Sequence, residues 1–358
     1  MSENTTREPP TDVGPPAHSA RTVTPLPKSS GFPSVAAMYL DRVKRTPDRD
    51  AFYYPGASDT WRTLKWSDVH TRVKLWASGL RALGLDDEER VAILSSTRYE
   101  WVLADLAVLC AGGATTTIYP SSTPDECTFI LADSGARFVF VEDAAQVEKL
   151  VGQRANLPNV AKVITLTDGA GENGWVIGVA ELERLGRERA AKYPEEFEEV
   201  IGRIQLDWLA TLIYTSGTTG RPKGVELLHD CWVYTGEAMD ALGVLRPDDK
   251  QYLWLPLSHS FGKLLLVSQI MIGIPTAIDG RIAKLVDNLS VVKPTFMAAA
   301  PRIFEKVYNT VVTGAKGGGG LKHAIFRWSV GVGRQVSQLR QQGKEPSGFL
   351  ALENSIAD

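Results

Sequence analysis

Between residues 90 and 141, short apolar runs alternate with segments of helical spacing, and this rhythm constrains the fold more than any other feature of the chain. Arg90 to Leu94 is apolar after its first residue, too short for a helix, and reads as a buried strand. Tyr99 to Ala111 reads as a helix ending at Gly112-Gly113, and Thr115 to Tyr119 as a strand. Pro124 to Asp133 is predicted as a helix with proline in its first turn, and Arg137 to Val141 and Val163 to Leu166 as further strands. Upstream, Ser67 is placed to cap a helix whose Val69, Val73, Trp76, Leu80 and Leu83 recur at helical spacing, with Gly84 as its stop. Downstream, Leu209 to Tyr214 is one more buried strand. Strands alternating with helices make βαβ units, so the predicted class is α/β, with mostly parallel sheets flanked by helices.

Composition narrows the function classes. The chain has 358 residues, 44% hydrophobic and 23% charged, ample for a buried core. Its 39 basic and 42 acidic residues give a net charge of −3, with no basic stripe to suggest a nucleic-acid surface. Cys110, Cys127 and Cys231 have no metal-ligand spacing and read as reduced thiols of a cytoplasmic protein. Residues 1–32 are rich in Pro, Ser and Thr, and are expected to form a disordered arm. No apolar signal core follows Met1, and the most apolar stretch, Leu264 to Ile278, is interrupted by Ser268, Gln269 and Pro275. A membrane span needs roughly 20 apolar residues, so this stretch is predicted to be a buried helix followed by a strand. Peripheral membrane contact stays open. The carboxylates near Glu195, Glu196, Glu198 and Glu199, in a charged helical segment over 181–204, read as a solvated face rather than a metal site.

The chemistry-bearing segment follows the strand at Leu209. Residues 214–225 read Tyr-Thr-Ser-Gly-Thr-Thr-Gly-Arg-Pro-Lys-Gly-Val. Gly217, Gly220 and Gly224 permit close backbone approach to a ligand, Thr215, Ser216, Thr218 and Thr219 supply hydroxyls, and Lys223 adds a mobile cation. Together they suit a phosphate cradle at the end of a strand. A Walker loop is excluded, because Pro222 precedes the lysine and glycine follows it where a magnesium-binding hydroxyl belongs. The bland alternative is a flexible linker.

This run resembles the signature of the adenylate-forming superfamily, in which the loop holds the β- and γ-phosphates of ATP. The resemblance assigns that role to Thr215, Ser216, Gly217, Thr218, Thr219, Gly220 and Lys223, with Thr215 also near Mg2+ and Lys223 stabilising phosphate charge. Trp254-Leu255-Pro256-Leu257-Ser258-His259-Ser260-Phe261 resembles the acyl-site motif of the same family, which implies substrate-pocket roles for His259 and Phe261. An isolated histidine is otherwise more often structural. Some members carry a tryptophan gate shortly after that histidine. The comparable position here is near Lys263, so no gate is carried over, and Leu264 to Ile272 reads as core helix. Lys293 to Asn309 is predicted as a strand over Thr295 to Ala299 and a helix from Pro301, whose stripe includes Ile303, Phe304, Val307 and Val311. It resembles the long-chain fatty acyl-CoA ligase branch in particular. Ala298, Ala299 and Ala300 fit either an acyl chain or tight helix–sheet packing.

The resemblance runs from about Phe32 to the end and implies a partial AMP-binding domain over 33–358. The family's aromatic-Gly-x-Thr-Glu motif, ribose-binding aspartate and lid domain have no counterpart in the 358 residues, and Ile356-Ala357-Asp358 carries no helix stop. The implied activity is ATP-dependent conversion of a fatty acid through an acyl-adenylate to acyl-CoA, with ATP, Mg2+ and coenzyme A as ligands. For the chain as it stands, the expectation is weak activity or none without a complementing chain, and an unpaired sheet edge open to self-association. A non-catalytic remnant or interaction module is the competing reading.

Overall fold

The computed structural model describes residues 31–167, 174–215 and 221–357. They fall into two units, divided between Thr295 and Phe296. In the first unit, helix α1 (Val35–Arg45) precedes strands β1 (Asp50–Pro55) and β2 (Trp61–Lys65). Next come α2 (Trp66–Ala82), β3 (Arg90–Leu94), α3 (Tyr99–Cys110), β4 (Ala114–Ile118), α4 (Pro124–Ser134), β5 (Phe138–Val141) and α5 (Ala144–Val151). The chain continues through β6 (Lys162–Thr165), β7 (Val176–Gly178), α6 (Val179–Lys192), α7 (Glu196–Arg203), β8 (Leu209–Thr215) and β9 (Lys223–Leu228). The unit closes with α8 (His229–Leu242), β10 (Gln251–Leu253), α9 (Ser260–Ile272), β11 (Thr276–Ile278) and α10 (Leu285–Val292).

The strands form two sheets. A seven-stranded sheet has the order β7-β6-β5-β3-β4-β8-β9, and a four-stranded sheet has the order β10-β11-β1-β2. Pairing is parallel except at β8–β9 and β1–β2. The alternating pattern thus gives the expected α/β class with mostly parallel sheets flanked by helices. Both faces of the larger sheet's central strands are buried, which is why β3 and β5 read as continuous apolar runs. Ala92, Leu94, Val139 and Val141 share one core with Ile130 and Leu131 of α4 and Leu150 of α5. On the opposite face, Phe140 stacks on Trp76 of α2 at 5.7 Å between ring centres.

Local rules set the boundaries. Thr123 and Glu126 form a capping box at the start of α4, with proline behind the cap, and Gly135 ends the helix at φ +63°. Gly84, the predicted stop for α2, has φ +91°. That helix begins at Trp66 rather than after Ser67, because the Asp68 carboxylate reaches back to the Lys65 N–H at 2.9 Å and Trp66 is fully buried. The charged segment over 181–204 is two helices, since Pro194 cannot continue α6. Within it, Glu196 pairs with Arg189 and Glu198 with Lys74. The stretch Leu264 to Ile278 is a buried helix followed by a strand, as its composition predicts.

One predicted strand does not form. Thr295 to Ala299 contains a single bridge residue, Phe296, and is otherwise irregular. A strand requires a ladder, and the Thr295 N–H bond to the Lys250 carbonyl at 3.0 Å is not continued into one. The second unit consists of helices α11 (Pro301–Gly317), α12 (Gly320–Gln341) and α13 (Gly348–Ala357). Proline opens α11 as expected, yet Phe304 and Val311 of its apolar stripe are exposed. The predicted arm lies, but for Gly31 and Phe32, outside the described residues.

The tightest joint is between α2 and α6. A Cβ at Gly186 would stand 2.0 Å from the Leu75 carbonyl oxygen, and one at Gly79 would stand 2.5 Å from that of Leu182. The two backbones therefore touch. Gly186→Ala is expected to lower stability by about 1–3 kcal/mol through overpacking, measured as a reduced urea midpoint at unchanged slope.

Candidate active site

Strands β8 and β9 form an antiparallel hairpin that pairs Tyr214 with Gly224 and Thr215 with Lys223. The predicted phosphate cradle is the stretch of sequence between these two strands, with a strand residue at each end. Ser216, Gly217, Thr218, Thr219 and Gly220 lie outside the described residues, whereas Thr215 ends β8 and Lys223 opens β9. The strand after the loop was not legible, because Lys223 to Val225 were read as part of the loop itself.

Both feet of the hairpin rest on α4. The Tyr214 hydroxyl donates to the Asp133 carboxylate at 2.6 Å, and its ring meets Phe129 edge-on. Burial and the Asp133 carboxylate push the Tyr214 hydroxyl well above its usual range, so it stays a donor. On the other foot, the Arg221 guanidinium lies 5.8 Å from the centre of the Phe129 ring. At Gly224 a Cβ would stand 3.0 Å from the Tyr214 ring, a tight approach.

A cleft of about 340 Å³ opens beside this hairpin. Thr117 and Tyr119 line it from the end of β4, and Glu126 and Ile130 from α4. Ile213, Tyr214 and Thr215 line it from β8, Pro222 from the far foot, and His259 and Ser260 from the start of α9. It sits outside the carboxyl ends of parallel strands, the position where open α/β sheets place ligands. Of the predicted residues, the structure brings Thr215 and His259 to this one cleft. Lys223 is exposed one residue past Pro222, and Phe261 is 40% exposed on α9 without lining the cleft.

The backbone leading to His259 is clamped. Thr97 donates to the Leu255 carbonyl at 2.8 Å and accepts from the Leu257 N–H at 3.2 Å. Thr117 donates to the Ser258 carbonyl, and Ser258 donates to the Ile118 carbonyl. His259 is then the N-cap of α9, its Nδ1 accepting the Phe261 N–H at 3.2 Å. That bond leaves Nε2–H as a donor for a ligand. A second cleft, about 200 Å³, lies near Arg98 and Arg281, but these cations already pair with Glu100 and Asp279.

Sequence reasoning missed a buried polar junction behind the cleft. Lys263 of α9 and Asp105 of α3 form an ion pair, each side chain 1% exposed. Trp101 and Trp232 lie beside the ammonium, 5.6 and 5.9 Å from it to ring centre. His229 stands near them and accepts the Val35 N–H through Nδ1 at 3.2 Å. The available signal was a charge in the middle of each of two largely apolar runs, Asp105 within Trp101 to Cys110 and Lys263 ahead of Leu264 to Val267.

The profile of the AMP-binding enzyme family matches residues 40–342. The chain belongs to this family. The AMP-binding chain is 31% identical over 327 residues to a long-chain-fatty-acid–CoA ligase, FadD15, of Mycobacterium bovis, covering 91% of this chain and 52% of that one. It is 30% identical over 287 residues to the human long-chain-fatty-acid–CoA ligase ACSBG1, covering 76% and 39%. It thus spans about half the length or less of the curated relatives it matches. The crystal structure of a long-chain-fatty-acid–CoA ligase (FadD1) from Archaeoglobus fulgidus shares the fold, with a TM-score of 0.65 at 21% identity, covering 80% of this chain and 56% of that one. Among the described residues no helix is long and apolar enough to cross a membrane.

His229 gives the AMP-binding chain a pH signature. Burial, reinforced by the Lys263 charge, lowers its pKa to about 3. The unfolded chain takes up a proton near the ordinary value of about 6.5 and the folded chain does not, so stability falls as pH drops through this window. From about pH 7 to about pH 5 the expected loss from this group is about 2 kcal/mol. Urea titrations at the two pH values should show it, and His229→Gln, which keeps an acceptor for Val35, should remove that component.

Proposed function

We propose that this chain carries the phosphate- and acid-binding part of an AMP-forming fatty acyl-CoA ligase. In the first half-reaction a fatty acid carboxylate attacks the α-phosphate of ATP, forming the acyl-adenylate and releasing pyrophosphate. In the second, the coenzyme A thiol attacks the acyl carbon, giving acyl-CoA and AMP. The observation that carries this reading is the single cleft shared by Thr215, at the foot of the phosphate loop, and His259, at the head of α9. The names of the relatives support fatty acids as the acid class.

The chemistry needs charge stabilisation on the leaving pyrophosphate more than it needs a base. Lys223 and the hydroxyls and amides of Thr215 to Gly220 supply it. Thr215 would offer its hydroxyl to a magnesium ion arriving with ATP, which would share that neutralisation. The His259 Nε2–H orients the carboxylate and transfers no proton. We assign the protein to the cytoplasm, with peripheral membrane contact as a means of meeting acyl substrates. The chain spans about half or less of the length of these relatives, so binding should outlast turnover in it.

Two measurements test this. The purified chain is expected to bind ATP and a non-hydrolysable acyl-adenylate analogue by calorimetry, with Lys223→Ala weakening ATP at least about tenfold, equivalent to about 1.4 kcal/mol. Fatty-acid-dependent exchange of pyrophosphate into ATP is expected to be slow or absent. Failure to bind either ligand at millimolar concentration would refute the site, and brisk exchange would refute the dependence on further sequence.

A further inference from the structure

The buried pair of Lys263 and Asp105 stands one helical turn behind His259. The Lys263 N–H donates to the His259 carbonyl at 3.2 Å, so the anchored lysine and the cleft histidine belong to the same turn of α9. Between them, Gly262 presses on the backbone of the preceding strap, where a Cβ would stand 2.3 Å from the Pro256 carbonyl oxygen. Asp105 comes from the middle of α3, whose other buried side chains are mostly apolar. The pair therefore ties the start of α9 to a helix packed inside the first unit.

Stability does not account for such a pair. Desolvating two charges costs about what their attraction returns, and a well-packed apolar pair is often equal or better. An ion pair differs from apolar packing in direction. The ammonium faces one carboxylate in this junction and loses that counter-charge if the helix turns.

We propose that Asp105 and Lys263 are positioning residues for the cleft, fixing the rotation of the first turn of α9 so that the His259 Nε2–H meets the ligand's acid group. This rests on the reading of His259 as the group that orients the carboxylate. Neither residue touches the ligand, and both act through the helix cap.

The test compares Lys263→Arg, which keeps the pair, with the double variant Asp105→Leu/Lys263→Met, which removes both charges and keeps the volume. The first readout is the imidazole nitrogen spectrum of His259 in ligand-free protein labelled with ¹⁵N-histidine. Wild type and Lys263→Arg are expected to show one tautomer, with Nδ1 unprotonated. The double variant is expected to shift toward the tautomer mixture of free imidazole while keeping a cooperative thermal transition close to wild type. The second readout is binding of the acyl-adenylate analogue, expected to weaken about tenfold in the double variant and not in Lys263→Arg. An unchanged His259 spectrum in a folded double variant would overturn the proposal. So would a double variant that fails to fold, since the pair would then serve stability. If wild type does not bind the analogue, the functional reading fails, and the spectrum still decides the role of the pair.

Discussion

Two threonine hydroxyls hold the candidate site together. Thr97, just past β3 of the larger sheet, and Thr117, within β4, bond to the backbone of residues 255–258, which leave β10 of the smaller sheet. Irregular backbone crossing a buried interface exposes donors and acceptors that water cannot reach, and each unmet group costs about 1–3 kcal/mol. Thr97 and Ser258 are almost wholly buried, so these bonds meet strap groups that water cannot reach. Because the strap cannot shift without losing them, His259 is delivered to the carboxyl end of β4, beside the hairpin that carries Thr215. The relation between the two halves of the cleft is thus set by side-chain-to-backbone bonds rather than by apolar packing.

Legibility followed from the range of each signal. Arg90–Leu94 was bounded correctly because a strand buried on both faces is apolar at every position, and α4 because its capping box, proline and terminal glycine are all local. The helix at Trp66 was placed a residue or two late because its cap is the Asp68 carboxylate reaching backward, not the more familiar Ser67 hydroxyl. The strand predicted at Thr295 failed for the opposite reason. Its residues suit a strand, but a strand exists only if another backbone lies alongside, and that is a property of the whole sheet. The hairpin partner β9 was hidden because Gly224 and Pro222 look like loop residues. In the structure Gly224 lies within a ladder, close against the Tyr214 ring.

The site divided along the same line. Thr215 and His259 each lie in a compact motif, and their meeting at one cleft is a tertiary fact that the motifs only imply. Phe261, taken from the same motif, does not line the cleft, since a residue two positions into a helix points well away from its cap. Asp105 and Lys263 were invisible as a pair, being separated by 158 positions.

The junction around Lys263 also explains why this part of the chain resists description as plain core. Helix α9 packs on α8 and α1, and where it meets α3 the sequence places a lysine, an aspartate and a histidine where burial penalises every charge. Burial lowers the Lys263 pKa and the Asp105 carboxylate opposes that shift, so the ammonium depends on one partner for its existence. His229 meets the same burden by staying neutral. Accepting these costs one turn behind the candidate ligand-facing histidine places an unforgiving interaction where orientation counts for most.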